Sequence, residues 1–566
     1  MDFGYKKNDN KKLFHSLENS ELLNVENTQN YIPIYQRFFN LNQSNQDSVN
    51  LNNKLSLDDI VVKETENKFK GSVVDASANK IDKNIFFKLS PLLDPIKYIT
   101  GKYDLSNSNL LDLPTYESTD SHSKSRDTNN SAYVDSFFTY LTSKLLHENK
   151  FFHGVDFYGS FLANKLDFMV DVADDIEYLF DSNAFHKHKN SLFYLDNTFH
   201  SDLFNYDTRN YKKKINIEDC SANTIQLADI NDIAVLDTLF IDSSSNSIVI
   251  EPDLLYEGNE HSERKTTRSQ SSSTCSSRSS DTHNEEEYDE DEDESEEEGD
   301  EESESSMCSD ASDDKIFIKI PKFPVQIIAL ERCAKTLDSL LISDDLSDDE
   351  WSSIVIQILM ILITYQKVFK LTHNDLHASN IMYVETDKQY LVYKYNDKYF
   401  KVPTFGKIFK IIDYGRAIYK FRGNLICSDS FHPEGDAATQ YNFEPYFNEK
   451  KSRLEPNFSF DLCRLGCALF DVIVEDLDNI SKIKSPILKI ILEWCKDDKG
   501  RNVMYKNNGE ERYPDFKLYK MIARTVHNHT PQSVMEDMYF KRYIVSRKKL
   551  NKHQKIINID TMPCYE

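Results

Sequence analysis

Residues 373–380 read H-N-D-L-H-A-S-N, and Asp413-Tyr414-Gly415 follows them. An Asp, an Asn five positions later and a second Asp some thirty residues on form a spacing that can move a phosphoryl group from a magnesium nucleotide to a hydroxyl. In such a set Asp375 orients the attacking hydroxyl or accepts its proton. The Asn380 amide oxygen and the Asp413 carboxylate hold Mg²⁺ against the phosphates. A hard cation that keeps several waters needs only so sparse a set of oxygen ligands.

The flanking residues supply the elements that must position these groups. Leu371 leads into the first motif, and Ile381-Met382-Tyr383-Val384 follows it as a short apolar run. The motif therefore lies on a loop ahead of a strand. Ile408-Phe409-Lys410-Ile411-Ile412 is β-branched and aromatic and delivers Asp413 at a strand end. Upstream, residues 351–369 are apolar enough for a wholly buried helix. Their unbroken apolar core is shorter than the roughly 20 residues a membrane span needs.

Composition narrows the function classes. The net charge is −27, and residues 281–314 hold twenty Asp and Glu with no Lys or Arg. Taking that −20 from −27 leaves −7, an ordinary value for a globular surface. The acidity belongs to one segment, and a basic partner could bind it. No basic patch of nucleic-acid type stands out, so no nucleic-acid partner is expected. The nine Cys form no C-x-x-C pair; Cys463 and Cys467 lie one helical turn apart and read as core. His186-Lys187-His188 and His527-Asn528-His529 lack partners at zinc spacing and read as surface loops. The first residues contain no apolar signal core. Cysteine use and the lack of targeting signals predict a reducing, cytoplasmic compartment and no membrane partner.

Along the chain, residues 1–54 are polar and Asn-rich and read as a largely disordered extension. Asp59-Ile60-Val61-Val62, Gly71-Ser72-Val73-Val74 and Ile85-Phe86-Phe87-Lys88 read as three strands of a small antiparallel sheet. Residues 131–146 have helical periodicity, and 157–162 read as a further strand. Residues 163–261 have no clear assignment. Residues 262–314 are Ser-rich and then acidic, and bury too little apolar surface to fold. Residues 316–318 and 325–330 resume the sheet, 337–545 read as mainly helical, and 546–566 as a tail.

With these motifs in this order, the chain resembles the protein kinase superfamily. H-N-D-L-H-A-S-N stands for the usual H-R-D-L-K-x-x-N, and D-Y-G for D-F-G. Asp461-Leu462-Cys463-Arg464-Leu465-Gly466 looks like the D-x-W-x-x-G start of a long buried helix, whose Asp accepts backbone N–H groups from the catalytic loop. Haspin-type kinases also carry D-L-H and D-Y features. The resemblance implies an α+β, bilobal protein-kinase-like fold: a small antiparallel β lobe over 55–336, interrupted by a large insertion, and a mainly helical large lobe over 337–545. It implies ATP and Mg²⁺ as cofactors and a protein substrate. Carried over, Glu66 and Lys68 stand where the phosphate-covering loop has its first two Gly, and Gly71 and Val73 match its last two landmarks. Lys88, fifteen residues after Val73, would bind the α- and β-phosphates. Asp135 would pair with it, or else Glu148. Leu330 would back the adenine pocket, the backbone of Glu331 and Cys333 would bind the adenine edge, and Asp338 would reach the ribose. His377 stands where Ser/Thr kinases have a Lys on the transferred phosphoryl, and when protonated could do that work. Asn374 replaces an Arg that normally pairs with an activation-segment phosphate, which makes that mode of activation less expected.

The residues fit three readings. The first is a protein kinase, with Ser/Thr favoured because the catalytic loop lacks the Arg of tyrosine kinases. The second is a small-molecule kinase of the aminoglycoside or choline type, which uses a similar H-x-D-L-H-x-x-N loop. The third is a pseudokinase scaffold, favoured by the lost glycines and Asn374. Asn- and Lys-rich sequence, the acidic segment and the split small lobe are similar to divergent kinases of large nucleocytoplasmic DNA viruses.

Overall fold

Strand alternation builds the largest sheet. In the computed structural model of the chain, Lys80–Pro91 pairs with Lys68–Val74 on one side and Phe317–Glu331 on the other. The full order is Val25–Gln29, Phe157–Asp171, Phe317–Glu331, Lys80–Pro91, Lys68–Val74 and Ser56–Lys63, all antiparallel, with Tyr194–Leu195 beside the far end of Phe317–Glu331. The structure describes residues 1–195 and 316–566, apart from 118, 475, 552 and 566. The acidic segment 262–314 and most of the unassigned stretch 163–261 lie outside these residues. Of the chain's two compact units, the one formed by Met1–Phe204 and Cys275–Glu566 contains every described residue.

Because side chains alternate across a sheet, each strand feeds two cores. Phe69, Val73, Ile85, Phe87, Phe161, Ile327 and Ala329 fill one face. Leu162, Ile328 and Leu330 face the other way and pack with Phe137, Phe138 and Leu141 of the helix Ser131–Glu148. That helix is buried from Ala132 to Leu145. Its N-cap Asn130 accepts the Ala132 N–H, which satisfies one of the orphan donors of the first turn.

The second half of the chain is built on the helices Asp348–Phe369, Phe460–Ile473, Pro486–Glu493 and Lys517–Thr525. Asp348–Phe369 opens with a Ser347–Glu350 capping box and three acidic residues over its positive end. It is longer than expected, at 22 residues, and is the one described helix long and apolar enough to cross a membrane, yet it is buried inside the protein. Strands are more numerous here than expected. Ile381–Glu385 pairs with Lys407–Ile411, Tyr390–Tyr395 with Lys398–Pro403, and Ile418–Phe421 with Asn424–Cys427. The architecture is mixed α+β, with a curled antiparallel sheet and a helical cluster.

Both ends of the chain are folded. The reading of residues 1–54 as a disordered extension is corrected: Val25–Gln29 is the outer strand of the sheet, and Leu17, Ile32 and Ile34 are buried. Phe3 and Phe38 pack on Phe137, with Phe38 stacked on its ring at 4.6 Å. At the other end, Ile557–Asn558 pairs with Tyr390–Tyr395, and Tyr565 stacks on Phe369.

Candidate active site

Lys88 occupies an even position of Lys80–Pro91, so Ile85 and Phe87 take the opposite face. Its Nζ lies 2.7 Å from Asp135 Oδ2 and 2.9 Å from Asp413 Oδ1. The Asp side chain is short, and the buried helix comes close enough for it to reach. Ser136 Oγ, one residue on, meets Ser160 Oγ of the sheet at 3.0 Å. Asp135 Oδ1 also accepts the Tyr414 N–H at 2.8 Å, tying the helix to the D-Y-G turn. Burial works against the charge on Lys88, but the two carboxylates outweigh it and hold the ammonium above its ordinary range. Burial likewise works against the charge on Asp413; there Lys88 wins and holds the carboxyl down at about 2. Asp135 is the more enclosed, and burial pushes its carboxyl up against the pull of Lys88.

The loop at 373–380 is held by Asp461. This wholly buried carboxylate accepts the His373 N–H at 2.9 Å and the Asn374 N–H at 2.9 Å. Burial pushes its carboxyl up while those amides pull it down. His373 donates Nε2–H to the Ile412 carbonyl, next to Asp413, and its ring lies 5.3 Å from Tyr414. Asn374 and Asp413 both take left-handed backbone, φ 65° and 63°, which Asn and Asp tolerate better than other residues.

Asn380 is oriented from both sides. Its Nδ2 donates to the Asp375 carbonyl at 3.0 Å and meets His377 Nε2 at 3.0 Å. The carbonyl requires a donor, so the NH₂ end faces both groups and His377 Nε2 accepts. A protonated imidazole cannot accept there. Burial also lowers the His377 pKa, with Arg464 and His373 adding to the effect against Asp375 and Asp413. In this arrangement His377 aims Asn380 as a neutral imidazole, whereas work on the transferred phosphoryl would require its protonated form. Asn380 Oδ1 and Asp413 Oδ2 have no protein partner among the described residues. Two such oxygens suit a hard cation whose remaining ligands are water and phosphate. Among the described residues no cluster of three or more His, Cys, Asp or Glu could hold a metal by itself.

Two sequence assignments are out of register. Lys68–Val74 pairs with Lys80–Pro91 as Val73↔Ile81 and Gly71↔Lys83, so odd residues share one face and Lys88 lies on the other. Val73 is fully buried with Phe69 and Phe87, away from Lys88. Gly71 answers a different demand: a Cβ there would lie 2.3 Å from the Asp59 carbonyl of the neighbouring strand. The pairing register carries Lys88 past the start of that strand, to the turn at 64–67, and Phe87 N–H bonds the Asn67 carbonyl at 2.9 Å. The turn has no glycine. Its Glu64 pairs with Lys70 and with Arg332.

At the other end of Phe317–Glu331, Leu330 faces Phe86 across the strands and lies on the same side as Lys88. The Glu331 N–H bonds the Asp156 carbonyl at 2.9 Å, and its carboxylate accepts from Asp156 N–H and the buried Lys410. The Glu331 N–H is therefore already bonded and not open to a ligand. The Cys333 N–H has no backbone acceptor among the described residues and remains available. Burial pushes its thiol up to about 12. Asp338 is half-buried in the first turn of the helix Leu337–Ser343, capped by Thr336.

Sequence reasoning missed the groups around Asp375. Tyr519 donates its hydroxyl to Asp375 Oδ1 at 3.0 Å, and Arg416 Nη1 stands 3.8 Å from the same oxygen while Nη2 pairs with Asp436 at 2.6 Å. Arg464 Nε donates to the Tyr519 oxygen at 2.9 Å. Asn374 donates to the Arg416 carbonyl at 2.9 Å and accepts the Tyr441 hydroxyl at 2.7 Å. A signal existed for Arg464, a charge inside the apolar D-L-C-R-L-G stretch, and for Arg416, adjoining Asp413-Tyr414-Gly415. None existed for Tyr519 or Tyr441. Compared with protein families and with curated proteins, the chain matches none.

Proposed function

We propose that the chain is a bilobal, protein-kinase-like phosphotransferase that moves the γ-phosphate of Mg·ATP to Ser or Thr hydroxyls of protein substrates. The observation that carries this reading is the Lys88 ammonium bridging Asp135 and Asp413. It joins a sheet lysine, a buried helix and the D-Y-G turn next to a loop that Asp461 grips. Mg·ATP would supply the phosphoryl group and the charge that neutralises it. Lys88 would bind the α- and β-phosphates as a point charge, sharing or giving up its contact with Asp413. Asn380 Oδ1 and Asp413 Oδ2 would hold the cation, with His377 keeping the amide turned. Asp375 would take the proton of the acceptor hydroxyl. The Cys333 N–H and the Glu331 carbonyl would bind the adenine edge against Leu330, with Asp338 near the ribose.

One observation favours a second reading, a scaffold without chemistry. The turn at 64–67, which the strand register brings opposite Lys88, has no glycine; Glu66 and, just after it, Lys68 stand where the kinase family has its first two. A γ-phosphate transfer assay with mixed basic proteins, in the presence of Mg²⁺, separates the two. Transfer by wild type that is abolished by Asp413→Asn, with Asp375→Asn inactive but binding Mg·ATP nearly as wild type does, supports the enzyme. Absence of transfer by wild type, or an Asp375→Asn protein with full turnover, overturns it.

A further inference from the structure

Asp375 has two carboxylate oxygens, and proton transfer needs one of them. Oδ1 is occupied: it accepts the Tyr519 hydroxyl at 3.0 Å. Oδ2 receives no hydrogen bond among the described residues. The direction of the Tyr519 bond is fixed from behind. Arg464 Nε donates to the phenol oxygen at 2.9 Å, and a guanidinium N–H can only donate. The phenol oxygen therefore accepts from Arg464, and its own hydrogen is left for Asp375. Arg464 is 7% exposed, forms no ion pair among the described residues, and lies over the Tyr519 ring at 5.0 Å. A nearly buried cation without a carboxylate partner is costly. Among the described residues its one hydrogen bond goes to this phenol. Burial pushes the Tyr519 hydroxyl up to about 12, so it stays a donor through the neutral range.

We infer that Tyr519 is a positioning residue for the transfer step: with Arg464 behind it, its hydroxyl pins Oδ1 of Asp375 and leaves Oδ2 as the atom that takes the acceptor's proton. The acceptor O–H bond breaks toward Oδ2, and the acceptor oxygen forms the new bond to the γ-phosphorus. The bond from that phosphorus to its bridging oxygen breaks and leaves the nucleoside diphosphate. A carboxylate free to rotate would spend part of its time presenting neither oxygen correctly. A fixed one holds the hydroxyl in a near-attack geometry. This inference rests on the transfer reading above.

The test uses the full chain with Mg·ATP and a mixed basic protein substrate. Tyr519→Phe removes one oxygen and keeps the ring packing on Phe460 and Phe516. A hydrogen bond to a charged group is worth enough to lower kcat about tenfold or more, while the KM for Mg·ATP stays near that of wild type; the melting temperature should fall somewhat in this variant, because Arg464 loses its acceptor. Arg464→Met should lower kcat by a smaller factor, about threefold, because it acts through the phenol. The double variant should be no slower than Tyr519→Phe. Tyr519→Phe with kcat within about twofold of wild type, or a double variant whose losses multiply, overturns the inference. If Tyr519→Phe fails to fold, undiminished kcat in Arg464→Met overturns it instead. A wild type that binds Mg·ATP and transfers nothing removes the transfer reading and this inference together. A wild type that transfers, alongside an equally fast Tyr519→Phe, removes this inference alone.

Discussion

Lys88 holds one positive charge between two carboxylates, and the side chain of Asp135 is only 3% exposed. Removing the ammonium would strand a buried negative charge. Lys88→Met should therefore cost about 3 kcal/mol of stability, as broken buried pairs do, and lower kcat/KM more than about tenfold. Urea unfolding and steady-state kinetics measure the two effects separately. The double variant Lys88→Met/Asp135→Asn removes the buried charge and keeps an acceptor for the Tyr414 N–H; it should regain most of the stability and none of the activity. Recovery of activity in the double variant would show that Lys88 has no part in transfer. Asn374 makes a second residue-level prediction. It joins the Arg416 carbonyl to the Tyr441 hydroxyl, so two elements are tied together without a phosphate. Phosphatase treatment of the purified protein should leave its turnover unchanged. Asn374→Ala, which strands both partners, should cost about 2 kcal/mol. A tenfold fall in turnover after phosphatase would mean that a phosphate does the work assigned here to Asn374.

The N-terminal segment acts at the scale of elements. Val25–Gln29 completes the sheet edge against Phe157–Asp171, and Phe3 and Phe38 cover Phe137 on the helix that carries Asp135. Arg37 extends this grip, donating to the Leu425 carbonyl and to Asn129 just before that helix. Deleting residues 1–54 should lower the melting temperature sharply or abolish soluble expression, whereas a disordered extension could be removed without effect. The segment is illegible over most of its length because Leu23, Val25, Ile32 and Ile34 follow no helical or strand period and are diluted by Asn, although Leu13, Phe14 and Leu17 do repeat at helical spacing within Lys11–Asn19. Its sheet partner is also far away in sequence, and single-sequence patterns do not report distant pairing. The hairpin Tyr390–Tyr395/Lys398–Pro403 carried a readable signal that was passed over. Asn396-Asp397 sits between two aromatic, β-branched runs, and both residues take positive φ, 48° and 55°, as a tight hairpin turn requires. At the site, Asp375, Asn380, Asp413 and Asp461 were legible because each lies in a short contiguous motif. Gly71 and Val73 lie on the face opposite Lys88 because strand pairing, and not a glycine landmark, decides which face a residue occupies. Tyr519 reaches Asp375 across 144 residues, a contact no local pattern encodes.

At the scale of the whole molecule, His153 links distant parts of the chain and sets their acid sensitivity. It follows the Asp135 helix, donates Nδ1–H to the Phe409 carbonyl at 2.6 Å and accepts the Tyr393 hydroxyl at Nε2 at 2.7 Å. Burial lowers its pKa to about 4, from an ordinary 6.5. The unfolded chain binds this proton more readily than the folded one. The stabilising contribution is therefore present above pH 6.5 and is lost as pH falls toward 4, to a total on the order of 3 kcal/mol. His153→Gln, which can keep both hydrogen bonds, should flatten stability against pH across that window; an unchanged acid limb would assign the loss to other groups. The insertion between the strands Phe157–Asp171 and Phe317–Glu331 makes the last prediction. Asp171 pairs with Phe317, Val172 N–H bonds the Ile316 carbonyl at 2.8 Å, and Leu195 pairs with Ile318. Residues 196–315 thus leave and rejoin the sheet at neighbouring points. A shorter connection can close the same gap, and closure entropy changes slowly with length. Replacing residues 262–314 with a short Gly-Ser linker should leave the melting temperature and basal transfer near wild type. It should also remove a net charge of −17, twenty-one Asp and Glu against four Lys and Arg, and with it any binding to basic proteins that weakens as salt rises. Loss of folding or of basal transfer would show that the acidic segment is part of the folded body. Equal binding to basic proteins by both forms at low salt would leave the segment without a partner role.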